Sequence, residues 1–146
     1  MPRFFVLFPC LIALAVIPLP VVASKSLVLD VVNFPFESSE ASPYELMKLE
    51  RVMCALNGRV VTWVAAVGHA APDERQALPL SHARAEFILR KLESKGLRAM
   101  ERHSDGKGSM QPVAGNATNR DRRKNGRVEI EIGYVYDDKQ QERKCE

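Results

Sequence analysis

The sequence predicts a two-layer α/β sandwich, with helices on one face of a mixed sheet, and three observations point to it. Residues 128–132, Val-Glu-Ile-Glu-Ile, alternate apolar and acidic, so Val128, Ile130, Ile132 and then Tyr134 face a core while Glu129 and Glu131 face out. Residues 59–68, RVVTWVAAVG, are almost wholly apolar and rich in β-branched side chains, as in a central strand covered on both faces. Apolar residues recur at helical spacing in 43–56 and again in 80–95. The order is strand, helix, strand, helix, strand, polar segment, strand.

Each element has its own signal. Residues 27–36, LVLDVVNFPF, read as the first strand, which Pro35 ends or places at an edge. After a polar loop, Ser42 is an N-cap and Pro43 takes the first helical position. Leu46, Leu49, Val52, Met53 and Leu56 form the inward stripe of that helix, and Asn57-Gly58 stops it. Trp63 is assigned to the core of the second strand. A loop over 68–79 leads to a helix over 80–95 with Ala83, Phe87, Ile88 and Leu92 inward and Gly96 just past its end. A short third strand is expected over 97–102. Then comes a polar block, 116–127, in which Arg120, Arg122, Arg123, Lys124 and Arg127 face a single acid, Asp121. This block, as a loop or a short helix, delivers the chain into the last strand.

The 146 residues allow one domain of ordinary size, and 46% hydrophobic with 27% charged residues is an ordinary globular composition. Residues 1–23 combine Arg3, a long apolar run and small residues around Ala23, the pattern of a secretory signal peptide. The run is also long enough to cross a bilayer, so an uncleaved anchor stays open. The domain is placed at 24–136 and a charged tail at 137–146. Taking Arg3 from the 21 cations leaves 20 against 18 acids, too small an excess to argue for nucleic acid or a membrane surface. Cys54 and Cys145 are then the mature cysteines. In an oxidising compartment they are candidates to pair; the alternative is two free thiols.

Catalytic and metal chemistry find no footing in the sequence. His69, His82 and His103 lack ligand spacing, so no metal is expected. Ser81 and His82 are adjacent, and adjacent residues on a helix do not face each other. There is no nucleophile elbow, phosphate loop or dinucleotide fingerprint. The expectation is a protein that is not an enzyme and has no cofactor.

The polar block and the strand after it resemble the end of the OmpA-like, peptidoglycan-associating domain family. Pro112, Asn116, Thr118, Arg122, Asn125, Arg127, Val128, Glu129 and Ile130 fall in register on P-x-x-x-N-x-T-x-x-G-R-x-x-N-R-R-V-E-I, with Asp121 at the Gly and Gly126 at one of the paired arginines. Phe34-Pro35-Phe36-Glu37-Ser38 resembles the family's F-x-F-D-S. Gly68-His69 and Leu80-Ser81-His82-Ala83-Arg84-Ala85 resemble G-H-T-D and L-S-x-x-R-A. The likeness spans about 27–134.

It implies a non-catalytic domain that holds the peptide stems of peptidoglycan in the periplasm of a Gram-negative bacterium. In such domains an Asp takes the ammonium of diaminopimelate and an Arg its carboxylate. Arg84 keeps the Arg position and is expected on the solvent side of its helix. Ala70-Ala71 stand where Thr-Asp belong, and the loop is about two residues short, so Asp73 or Glu74 is the candidate replacement. His69, Asn125 and Arg127 complete the implied site, though Asn125 serves equally well as a turn residue. The other reading is the same fold with a lost glycan site, used to bind another envelope protein. The membrane is implied only through an uncleaved N-terminus.

Overall fold

Strand β4 (Arg127–Tyr136) is the hub of the sheet in the computed structural model, which describes residues 25–136. It lies antiparallel between β1 (Lys25–Asn33) and β2 (Arg59–Gly68), and β3 (Glu101–Gly106) adds to β2 in parallel, giving the order β1-β4-β2-β3. The helices are α1 (Pro43–Leu46), α2 (Lys48–Ala55), α3 (Ala77–Ser94) and the short α4 (Asn119–Asn125). This is the mixed sheet with helices on one side that the sequence predicts. The expected leader, the expected tail from 137 and Cys145 lie outside the described residues.

The alternation in β4 works as read: Val128, Ile130 and Ile132 are fully buried, and Glu131 is exposed. Across the register, Ile132 meets Val64 and Ile130 meets Ala66, so these residues share the face on which Ile88, Leu89 and Leu92 of α3 and Leu49 and Val52 of α2 pack. A side chain the size of leucine buried this way contributes about 1.5–3 kcal/mol. Strand β2, however, is covered on one face only. Trp63, Ala65 and Val67 lie half-buried on the other, and Trp63 spreads across the neighbouring strand at Gly133. A Cβ at Gly133 would stand 2.0 Å from the indole Nε1, so glycine is what lets the ring lie flat.

Several boundaries differ from expectation for identifiable reasons. Strand β1 ends at Asn33 rather than 36, because Phe34 makes one more backbone bond (N–H to Gly126 O, 2.8 Å) and Pro35 has no N–H to follow it. The third strand covers 101–106, not 97–102. Leu97 is consumed by the end of α3: Gly96 takes φ +100°, its N–H bonds Glu93 O, and Leu97 N–H bonds Leu92 O (both 3.0 Å). Helix α3 starts at Ala77, ahead of Pro79, which is harmless because the first-turn N–H groups have no helical acceptor. Its buried stripe is Ser81, Arg84, Ala85, Ile88, Leu89 and Leu92, with Ala83 and Phe87 only half-buried. That stripe turns Arg84 inward.

Candidate functional site

The site region is where the end of β2, the start of α3, the segment after β1 and helix α4 converge. Gly68 makes the convergence close. A Cβ there would lie 1.8 Å from the Ser81 carbonyl oxygen, so only glycine lets the first turn of α3 rest on the strand end. The His69 carbonyl is thereby brought within 3.0 Å of Arg84 Nη1.

Arg84 is fully buried, and its five N–H groups are all used. Nε donates to Ser38 O (2.8 Å), Nη1 to His69 O (3.0 Å) and Glu74 Oε2 (2.8 Å), and Nη2 to Pro35 O (3.1 Å) and Glu74 Oε1 (2.5 Å). The guanidinium also lies 5.3 Å from the centre of the Phe34 ring. Glu74, 6% exposed, completes the network by accepting from the backbone of Glu37 (2.7 Å) and Ala71 (2.6 Å). The expected solvent-facing Arg84 is therefore corrected. One buried ion pair clasps α3, the loop 69–76 and the segment 34–38 together. Outside it, Glu37 and Arg75 close the same seam with paired contacts of 2.8 Å, and the Arg75 guanidinium holds the Glu37 carboxyl at about 2.

The other residues singled out by sequence divide similarly. Asn125 is fully buried and acts as a clamp: Oδ1 accepts from Val113 and Ala114 N–H (2.9 and 3.0 Å), and Nδ2 donates to Ala114 O (3.1 Å). This is its turn-stabilising reading. Arg127, 4% exposed, is held by Glu129 through Nε (2.8 Å) and Nη2 (2.7 Å). His69, 2% exposed, has no hydrogen-bond partner at either ring nitrogen, and burial, helped by the Arg127 charge, pushes its pKa below 6.5. Asp73 alone of the six is exposed. Its Oδ2 lies 3.7 Å from Arg122 Nε.

Arg122 leads to the side chains that the residue-by-residue comparison missed. Thr118 caps α4, accepting from Asp121 N–H (3.1 Å) and donating to Asp121 Oδ2 (2.8 Å). Arg122 is steadied by Asn116 O (3.1 Å) and Asn119 Oδ1. The helix thus presents Asn119, Arg122 and Arg123 to a hollow of about 250 Å³ whose other walls are Phe34, Pro35, Phe36 and Glu74. Phe36 is 51% exposed. The available signal was a block of cations within a few residues of a short helix cap, facing an aromatic pair in Phe34-Pro35-Phe36. Among the described residues no cluster of three or more His, Cys, Asp or Glu is arranged to hold a metal.

A mixed four-stranded sheet with β3 added in parallel to β2, covered by helices on one face, defines the class of domain. The chain is 33% identical over 101 residues to outer membrane protein A of Bordetella avium, across 68% of this chain and 52% of that protein, so it spans about half the relative's length. In sequence the chain is similar to that relative, and in fold it is similar to OmpA-like domains. Its fold is that of the peptidoglycan-associated lipoprotein from Burkholderia pseudomallei (20% identity, TM-score 0.58, covering 70% of this chain and 88% of that one). It is likewise that of the C-terminal domain of Helicobacter pylori MotB (21%, 0.57, 75% and 86%). A third likeness is to the cell wall anchor of the T6SS from Pseudomonas aeruginosa (23%, 0.55, 78% and 81%). No family model matches the chain.

Proposed function

We propose that this domain associates non-covalently and without catalysis with peptidoglycan in the periplasm of a Gram-negative bacterium, by gripping the zwitterionic end of diaminopimelate in the peptide stem. The observation that carries this reading is the pair of opposite charges formed by exposed Asp73 and half-buried Arg122, at 3.7 Å beside an aromatic-walled hollow. A zwitterionic end needs a carboxylate and a guanidinium at fixed separation, since either charge alone does not discriminate it from a simple ion. Asp73 takes the ligand's ammonium, Arg122 takes its carboxylate, and Phe36 covers the aliphatic stem. Asp73 and not Glu74 stands in for the family's acid, because Glu74 is consumed by Arg84. The names of two relatives, a peptidoglycan-associated lipoprotein and a cell wall anchor, support the same reading.

The self-contained Arg84–Glu74 pair supports a second reading, in which the glycan site is lost and the surface binds another envelope protein. Co-sedimentation with purified sacculi separates the two. Retention that free diaminopimelate competes away, and that Asp73→Ala and Arg122→Ala weaken, is the expected result. Absence of retention by the intact protein overturns the peptidoglycan reading in favour of the protein partner.

A further inference from the structure

We propose that the hollow at Arg122 is one end of a longer groove, and that its other end, between α1 and α4, reads a second carboxylate of the same ligand. This rests on the peptidoglycan reading and narrows it: the preferred ligand is an extended peptide with at least two free carboxylates. Two further hollows, each about 410 Å³, adjoin the first, and Arg123 lines all three. One runs along Arg120, Asn119 and Lys124 of α4, and the other crosses Phe34 and Pro35 to Tyr44 on α1.

The charge of this groove is unbalanced. Arg120, Arg123 and Lys124 are exposed and have no ion-pair partner among the described residues, whereas Arg122 has Asp73. The two acids that also line the groove are already committed: Glu74 is taken by Arg84, and Glu45 Oε2 lies 2.6 Å from Lys48 Nζ and accepts the Asn33 N–H at 2.9 Å. Unpaired cations crowded on one short helix repel each other, and an anion seated among them relieves that repulsion as well as making its own contacts. Tyr44, 72% exposed, supplies an aromatic wall on the opposite lip, suited to the aliphatic part of a peptide. A concave channel with apolar walls and three free cations fits a narrow, acidic peptide. A peptide stem carries such a chain, with the free carboxylate of its glutamate beside the diaminopimelate.

The test uses the purified protein with two synthetic probes, Ala-γ-Glu-diaminopimelate with the glutamate carboxylate free and the same peptide with that carboxylate amidated. Calorimetry of the intact protein is expected to give about tenfold tighter binding of the free acid, the loss of one partly exposed charge-assisted contact. The combined change Arg120→Gln, Arg123→Gln and Lys124→Gln, and Arg123→Gln alone as a milder variant, are expected to bind both peptides equally and at the weaker level, with unchanged thermal unfolding. Equal binding of the two peptides by the intact protein overturns the inference and leaves the Asp73–Arg122 site standing. Discrimination that persists in both glutamine variants does the same. Failure of the intact protein to bind either peptide overturns this inference together with the reading beneath it.

Discussion

Glu74 and Arg84 meet fork to fork inside the domain, with Glu74 Oε1 2.5 Å from Nη2 and Oε2 2.8 Å from Nη1 of Arg84. Both side chains are essentially without solvent contact. Removing one partner of such a pair strands a charge in the interior, which costs about 3–5 kcal/mol. Arg84→Ala and Glu74→Ala are therefore expected to lower stability by that much in urea titrations. Arg84→Lys should not restore it, because an ammonium has three donors and no fork to match the five acceptors around Arg84. A stability within 1 kcal/mol of the parent for any of these variants would contradict the role assigned to the pair.

Gly68 supports the same junction by having no side chain. Gly68→Ala would push a methyl group into backbone at Ser81 O, which cannot yield as a side-chain tip can. Overpacking of this kind costs about 1–3 kcal/mol, and here the first turn of α3 must lift off β2. The expected outcome is a lower thermal midpoint, with loss of protection for the amides of α3's first turn in hydrogen exchange. Unchanged exchange there would show that the strand end and helix start are less tightly joined than their geometry says.

His69 gives stability a pH dependence of definite sign. Buried and without hydrogen-bond partners, the folded imidazole stays neutral below the ordinary value of 6.5, while the unfolded chain takes up a proton there. Wherever the unfolded state binds more protons, stability rises with pH. The His69 contribution is thus fully favourable above 6.5 and declines as pH falls below it, levelling once the folded group also protonates. Denaturation curves collected between pH 7.5 and 5 should show the decline, and His69→Gln should flatten it. A slope of the opposite sign would place a proton on the folded imidazole.

The sheet, its helices and the order of the elements were legible because each depends on a local pattern. Alternation in 128–132 marked the core face of β4, and Ser42-Pro43 and Gly96 marked helix ends. The position of Arg84 was not legible. Arginine at a motif position reads as exposed, and its burial depends on Glu74, ten residues away, curling back through a loop whose last residue, Gln76, takes a left-handed φ of +49°. The same holds for Asn125 and Arg127, whose partners are backbone groups at 111–114 and Glu129. Asp73 and Arg122 lie 49 residues apart in sequence, and only the loop path and the docking of α4 bring them together.

Cys54 is disulfide-bonded, and we propose Cys145 as its partner, a residue outside those described. The bond would link α2 to the charged tail, so its effect on the core is small, although the chain-entropy account allows about 4–5 kcal/mol for so long a loop. Mass spectrometry of unreduced tryptic peptides is expected to find the fragments holding Cys54 and Cys145 linked. Separate, alkylatable peptides would exclude the pairing.

Arg122 and Arg84 separate binding from folding, and that contrast is the sharpest test of the site. Arg122 is about a quarter exposed, spans from α4 to Asp73, and its guanidinium donates hydrogen bonds to Asn116 and Asn119. Losing it removes surface contacts, and exposed ion pairs contribute about 0–1 kcal/mol to stability. Towards a ligand carboxylate it contributes more, because hydrogen bonds to charged groups are worth about 1.5–3 kcal/mol. Arg122→Ala should therefore weaken binding of a diaminopimelate peptide about 10- to 150-fold while leaving the urea midpoint almost in place. Asp73→Ala should act similarly from the ammonium side. The double variant should lose less than the sum, because each residue orients the other across 3.7 Å. Calorimetry and unfolding curves on the same four proteins decide the matter. If Arg122→Ala instead unfolds the domain, or binds the peptide as the parent does, the ligand's carboxylate is held elsewhere and the exposed pair is only a surface contact.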